Sequence, residues 1–307
     1  MKFWEFTKVK GTKVKINQWL SDTMGLVDGG CVYSTLFRYP AEGPKDYEVI
    51  LSMFPQENYR TLTHITMYMR DVPGSSAQAA GFLAEREINI LNSVSLNGIS
   101  DTVIIWKIMA DLSFAGEADL LLEDFAHRKS NNDPSVSLID HIATKPAEIG
   151  RLFRSDKEYH TKEEVRRAEP CTIKRGVFDT APGYGDILKN IDGRDVMVVA
   201  DADSWMLSVT FFKQGTNLIK MVFEVPDNPG SMKQIFDLLA GRNINLISVF
   251  SKIKICYQRM LLELVADIGT SKTSADELRC KLPKELESLN GVFVLKELKE
   301  LSLYEYQ

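Results

Sequence analysis

Cysteine is scarce and scattered: the four in this 307-residue chain, Cys31, Cys171, Cys256 and Cys280, show no C-x-x-C spacing. That pattern argues against a disulfide framework or a zinc ribbon and fits reduced thiols in a cytoplasmic protein. Histidine is equally rare, and His64, His127, His141 and His160 lack metal-ligand spacing, so no metal site is expected. No G-x-S-x-G, P-loop or dinucleotide fingerprint occurs, which removes the commonest signatures of hydrolases, nucleotide-binding enzymes and dehydrogenases. No apolar run nears the roughly 18 residues that a membrane helix needs. The start, Met1-Lys2-Phe3-Trp4-Glu5-Phe6, lacks the pattern of a secretory leader. The expectation is a cytoplasmic protein that is no enzyme and carries no cofactor.

Basic charge is not in excess either. A net charge of −5 gives no electrostatic reason for nucleic acid as the main partner. The early group Lys2, Lys8, Lys10, Lys13 and Lys15 reads as a solvated face.

What the chain does have is a repeat. Shifted by 156 positions, residues 71–95 fall on 227–251 with 11 identities in 25 positions, among them Asp71/Asp227, Pro73/Pro229, Gly74/Gly230, Gln78/Gln234, Arg86/Arg242 and Asn89/Asn245. Upstream the offset becomes 164, matching Val27-Asp28-Gly29 to Ile191-Asp192-Gly193. The first copy thus carries eight extra residues, expected in the Pro/Gly-containing stretch 38–44.

In the second copy a β-branched run, 218–225, ends at Pro226-Asp227-Asn228-Pro229-Gly230, a strand and a sharp turn. Met232, Ile235, Phe236, Leu238 and Leu239 recur at helical spacing. Strands over 244–250 and 259–268, a helix over 274–287 and a strand at 292–295 follow. The first copy matches with strands 62–70, 88–96, 102–111 and 136–142 and helices 74–86 and 117–128. The order βαββαβ gives a ferredoxin-like sheet with both helices on one face, and the bare face and free edge call for a partner. The fold class is therefore α+β: two ferredoxin-like domains, each preceded by a small β-rich module, from an internal duplication. The boundaries are 1–60 (β-rich), 61–143 (ferredoxin-like), 144–170 (linker), 171–215 (β-rich) and 216–307 (ferredoxin-like). The linker holds seven Lys/Arg and six Asp/Glu among 27 residues, too charged for a core of its own.

The repeated Asp-x-Pro-Gly corner opens a helix whose first N–H groups are unpaired. Glycine leaves them uncovered for a carboxylate. Asp71 and Asp227 are placed to meet an ammonium, and Asn89 and Asn245 on the adjacent strand offer donor and acceptor. A free amino acid, with both charges on one carbon, suits such a set. An N-cap and a turn would use the same residues.

Asp71-Val72-Pro73-Gly74 through Ile88-Asn89-Ile90, and Asp227-Asn228-Pro229-Gly230 through Ile244-Asn245-Leu246, resemble the signature of ACT domains. The resemblance covers roughly 62–142 and 217–300. It implies the ferredoxin-like fold, pairing of domains into larger sheets, and an effector amino acid between the loop after the first strand and the partner's neighbouring strand. Carried over, it nominates Asp71, Val72, Gly74, Asn89, Asp227, Asn228, Gly230 and Asn245. Asn228 stands where the first copy has Val72, so the sites differ, and the second is expected to be the functional one. The upstream modules, through apolar-Asp-Gly followed by an apolar strand, resemble the swapped-hairpin DNA-binding domains of small transcription regulators. Three readings follow: an amino-acid sensor that self-associates, a ligand-responsive transcription regulator that binds DNA, or a regulatory subunit of an amino-acid biosynthetic enzyme.

Overall fold

A computed structural model describes residues 2–52, 62–97, 103–146, 162–201, 206–271 and 273–301. The fold is mixed α+β, with every strand pair antiparallel. Among the described residues no helix is long and apolar enough to cross a membrane.

Two four-stranded sheets have the order that the βαββαβ pattern requires. In the first, β5 (Leu62–Arg70) lies between β7 (Val103–Asp111) and β8 (Ile139–Pro146), with β6 (Asn89–Asn97) at the edge beyond β7. In the second, β13 (Leu218–Pro226) lies between β15 (Arg259–Asp267) and β16 (Val294–Glu300), with β14 (Asn245–Ile255) at the edge. Alternate residues of β13, namely Ile219, Met221, Phe223 and Val225, turn inward. There they meet Ile235 and Leu239 of one helix (Ser231–Ala240) and Leu278 and Leu282 of another (Ala275–Leu286). The first sheet buries Ile65, Met67 and Met69 under Phe82 and Leu83 of Ser75–Ala84 and Leu121 and Phe125 of Ala118–Ser130. A register shift recurs near the start of each edge strand, between Ile90 and Asn92 and between Leu246 and Ser248, at the same offset of 156.

Repeated identities have structural partners here. The Gln78 side chain donates to Pro134 O at 2.6 Å and accepts from Leu138 N at 2.7 Å. Gln234 accepts from Asn290 N at 3.0 Å, so each glutamine clamps the approach to the last strand. Arg86 and Arg242 donate to the carbonyls of Phe82 and Leu238 and pair with Asp124 and Glu285 on the second helix of their units. The outer face of the second sheet is not the bare apolar surface expected. Glu224 there is ringed by Lys254 at 2.9 Å, Lys296 at 3.2 Å and Arg259 at 3.9 Å, with Lys220–Glu263 alongside at 2.9 Å. Apolar exposure concentrates at the edge instead, at Val249, Phe250, Ile253 and Ile255.

The upstream modules do not stand apart. Their strands form one six-stranded sheet in the order β1 (Lys2–Lys8), β11 (Asp195–Asp201), β12 (Met206–Phe212), β4 (Lys45–Ser52), β3 (Cys31–Arg38) and β9 (Glu163–Thr172). The first strand of each copy thus pairs with the hairpin of the other. Short strands β2 (Lys13–Lys15) and β10 (Val177–Asp179) cross with Val14 opposite Phe178. Asp28 Oδ1 accepts from Arg175 N, and Asp192 Oδ1 accepts from Gly11 N, both at 2.6 Å. Gly29 N donates to Ile173 O and Gly193 N to Val9 O, both at 2.9 Å. In every case the two bonds are related by 164 positions and run in opposite directions between the copies. Beneath one face, Val14, Leu20, Phe178, Tyr184 and Leu188 fill the core.

Strand β9 takes up residues 163–170 of the expected linker; residues 147–161, with His160, lie outside the described residues. The eight extra residues are divided as well. Leu36 lies opposite Val49 and its counterpart Ala200 opposite Leu207, so six of the extra residues fall between those hairpin partners and the other two between Val49 and the start of β5. Phe6, Met197 and Phe212 of the six-stranded sheet pack on Leu218, Val265 and Leu301 of the second ferredoxin-like unit.

Candidate functional site

Each Asp-x-Pro-Gly corner links a buried central strand to its first helix. Gly74 and Gly230 sit at the helix N-termini with φ of 96° and 92°, in the left-handed region that a side chain disfavours. A Cβ at either glycine would meet nothing within 4 Å, so space stands open above the corner. Asp71, Val72, Pro73 and Gly74 are exposed, as are Asn228, Pro229 and Gly230.

The first helical amide is already used, Ser75 N donating to Val72 O at 3.2 Å and Ser231 N to Asn228 O at 3.3 Å. Gln78 N and Gln234 N begin the helical ladder on Gly74 O and Gly230 O. The amides of Ser76 and Ala77, and of Met232 and Lys233, come before the fourth residue and have no i−4 carbonyl within their helices. Two donors per corner therefore face outward at the positive end of a helix dipole.

Neither corner aspartate is without a partner, and the corners differ at the serine that opens each helix. Asp227 Oδ2 accepts from Tyr257 N at 2.7 Å, which ties one carboxylate oxygen to the β14–β15 turn. Asn228 Oδ1 accepts from the Ser231 hydroxyl. In the first copy Val72 offers no such acceptor, and the buried Ser75 Oγ is without a hydrogen-bond partner among the described residues. The first corner thus leaves its serine hydroxyl unmet where the second closes on itself. The serines belong to the repeated block but were not nominated; their identity at one offset was the signal.

Aspartate and asparagine do not meet within one unit. Asn89 is level with Asp111 and Leu62, at the start of β5, whereas Asp71 follows its end. Nine strand steps of about 3.3 Å put roughly 30 Å between those levels. Asn245 is likewise level with Asp267 and Leu218, away from Asp227. It lines a cleft with Asn243, Asp267 and Thr270 below loops of the six-stranded sheet that include Pro44 and Thr216.

No family model and no curated protein matches the chain. Solved structures similar to it include an unknown protein from Galdieria sulphuraria, 11% identical over 78% of this chain and 98% of that one, TM-score 0.24. A candidate glycine cleavage system transcriptional repressor is 11% identical over 78% and 96%, TM-score 0.24. The acetolactate synthase small subunit of Thermotoga maritima is 9% identical over 80% and 99%, TM-score 0.21. Likenesses this distant say nothing of this chain's chemistry.

Proposed function

We propose that this chain is a regulatory protein that binds a free amino acid at ACT-type corners completed by a second copy of itself. The observation that carries the reading is the recurrence of an open, left-handed glycine corner with outward amides at both β5 and β13. Duplication of the unit, and the domain boundaries drawn above with β9 moved into the second β-rich module, belong to the same proposal.

Edge pairing would unite the separated halves of the motif. If β6 paired antiparallel with β6 of a second copy about Ser93, the partner's Asn89 would stand level with Asn97. That residue is level with Ile104 and Met69, two residues before Asp71. An amino acid there meets amides from one copy and an amide side chain from the other. It favours the paired state by its differential affinity alone. Exposed Val94 on β6 and Val249 on β14 give each edge an apolar residue to bury.

A thermal-denaturation screen of the protein amino acids should show one or two that stabilise the chain. The gain is about 2.7 kcal/mol at a hundredfold excess over Kd. Asn89→Ala should remove most of it without changing stability in the absence of ligand. A flat response to every amino acid at millimolar concentration contradicts the reading. A biosynthetic enzyme that co-purifies with the chain, or a salt-sensitive DNA complex, would identify the target.

A further inference from the structure

The strand exchange creates two related clefts, one at each end of the β2–β10 crossing, and they have diverged. In the first, the Phe3 and Trp19 rings pack edge to face at 4.6 Å, and Glu5 accepts from Asn17 N at 2.7 Å. The second ferredoxin-like sheet walls it through Phe250 and Leu301. The other cleft, of 820 Å³, is open and basic: Lys13, Arg166, Arg167, Lys174 and Arg175 line it. Its volume lies within the range of small-molecule sites.

Two of the five cations are neutralised on the spot. Arg166 grips Asp186 with two bonds of 2.6 and 2.7 Å, and Arg167 grips Glu164. Lys13, Lys174 and Arg175 have no carboxylate within ion-pair distance among the described residues. Asp179, the cleft's own acid, accepts from Thr12 Oγ1 and Ala181 N. Burial pushes the Cys171 thiol up, so it stays neutral and adds no negative charge. The walls are Val177 and Pro182, and the floor is a buried hydroxyl pair, Tyr184 OH donating to Ser34 Oγ at 2.8 Å. At the related positions of the first cleft, 164 residues away, stand Leu20 and Val198, which have no hydroxyls.

Arg175 occupies a backbone position that opposes it. Its φ is 51°, and its counterpart is Gly11 with φ of 62°. Glycine takes this conformation freely, whereas other residues are strained there. An arginine held at such a position, beside two other unpaired cations, indicates a use for its charge.

We propose that this cleft binds a small anion with an apolar body, a phosphate monoester or a carboxylate of similar size. The unpaired cations take the charge and the Val177 and Pro182 walls take the body. The concave apolar lining favours such a ligand over duplex DNA, whose phosphates would use the rim and leave the walls empty.

Calorimetric titration of the full chain with phenyl phosphate, inorganic phosphate, phenol and a short DNA duplex tests this. Phenyl phosphate should bind roughly tenfold more tightly than inorganic phosphate, by burial of the ring, and phenol should not bind. Arg175→Gly should weaken phenyl phosphate roughly tenfold while thermal stability is kept or raised. Lys174→Ala should weaken it too, and the amino-acid response should survive both variants. Absence of phenyl phosphate binding at millimolar concentration overturns the proposal. So does equal binding by Arg175→Gly, or DNA binding that depends on Arg175 in place of phenyl phosphate binding.

Discussion

Glu48 carries a carboxylate into the six-stranded sheet, 7% exposed, and three groups determine what that costs. Lys162 and Ser208 donate to it, as does Tyr39 OH at 2.9 Å. The Lys162 ammonium also lies 4.7 Å from the Phe37 ring centroid. Burial alone would raise the Glu48 pKa, but the Lys162 charge and the three hydrogen bonds outweigh it and hold the pKa below the ordinary 4.5. A depressed folded-state pKa means that this contribution is complete above about pH 4.5. It is lost as the pH falls through the lowered value. Lys162→Met should destabilise the chain by about 3–5 kcal/mol, because a buried charge loses its partner. Adding Glu48→Gln should recover most of that, as urea unfolding at neutral pH would show. In Lys162→Met the sensitivity to acid should begin at higher pH than in the parent. Nothing in the sequence pointed to this pair: Lys162 stands in a charge-rich stretch that reads as solvated, and its burial depends on β9 docking against β3.

Elements with their own apolar period were legible; those defined by a distant partner were not. The strands and helices of both ferredoxin-like units fall within a few residues of their expected places, because each buries one face against its neighbours. The second ends later than expected on β14, where Ser251-Lys252 interrupts the apolar run although pairing with β15 continues to Ile255. Strands β2, β9 and β10 carry little apolar pattern and exist through pairing with the other copy. The corner glycines were legible as turns, but the separation of Asp71 from Asn89 was not, since it follows from the direction of β6. Gly74→Ala and Gly230→Ala should each cost about 1 kcal/mol in urea unfolding. The open space above both corners makes that cost one of backbone conformation alone.

Across the whole molecule, exchanged strands make the copies interdependent. Without the second copy, β1 loses β11, β4 loses β12 and β3 loses β9, and only three of the six strands remain. Residues 2–146 and 162–301 produced separately should therefore aggregate or lack the six-stranded sheet. Produced together they should co-purify as one complex. The repeat was readable from identities, whereas the exchange was not, because no identity records which strand of which copy is the neighbour. The central claim concerns the corners, and hydrogen–deuterium exchange with the amino acid that raises the melting temperature addresses it most directly. Slower exchange confined to the 71–77 corner and to β6 is the result this account predicts. Protection confined to other segments, or no change at saturating amino acid, would contradict it.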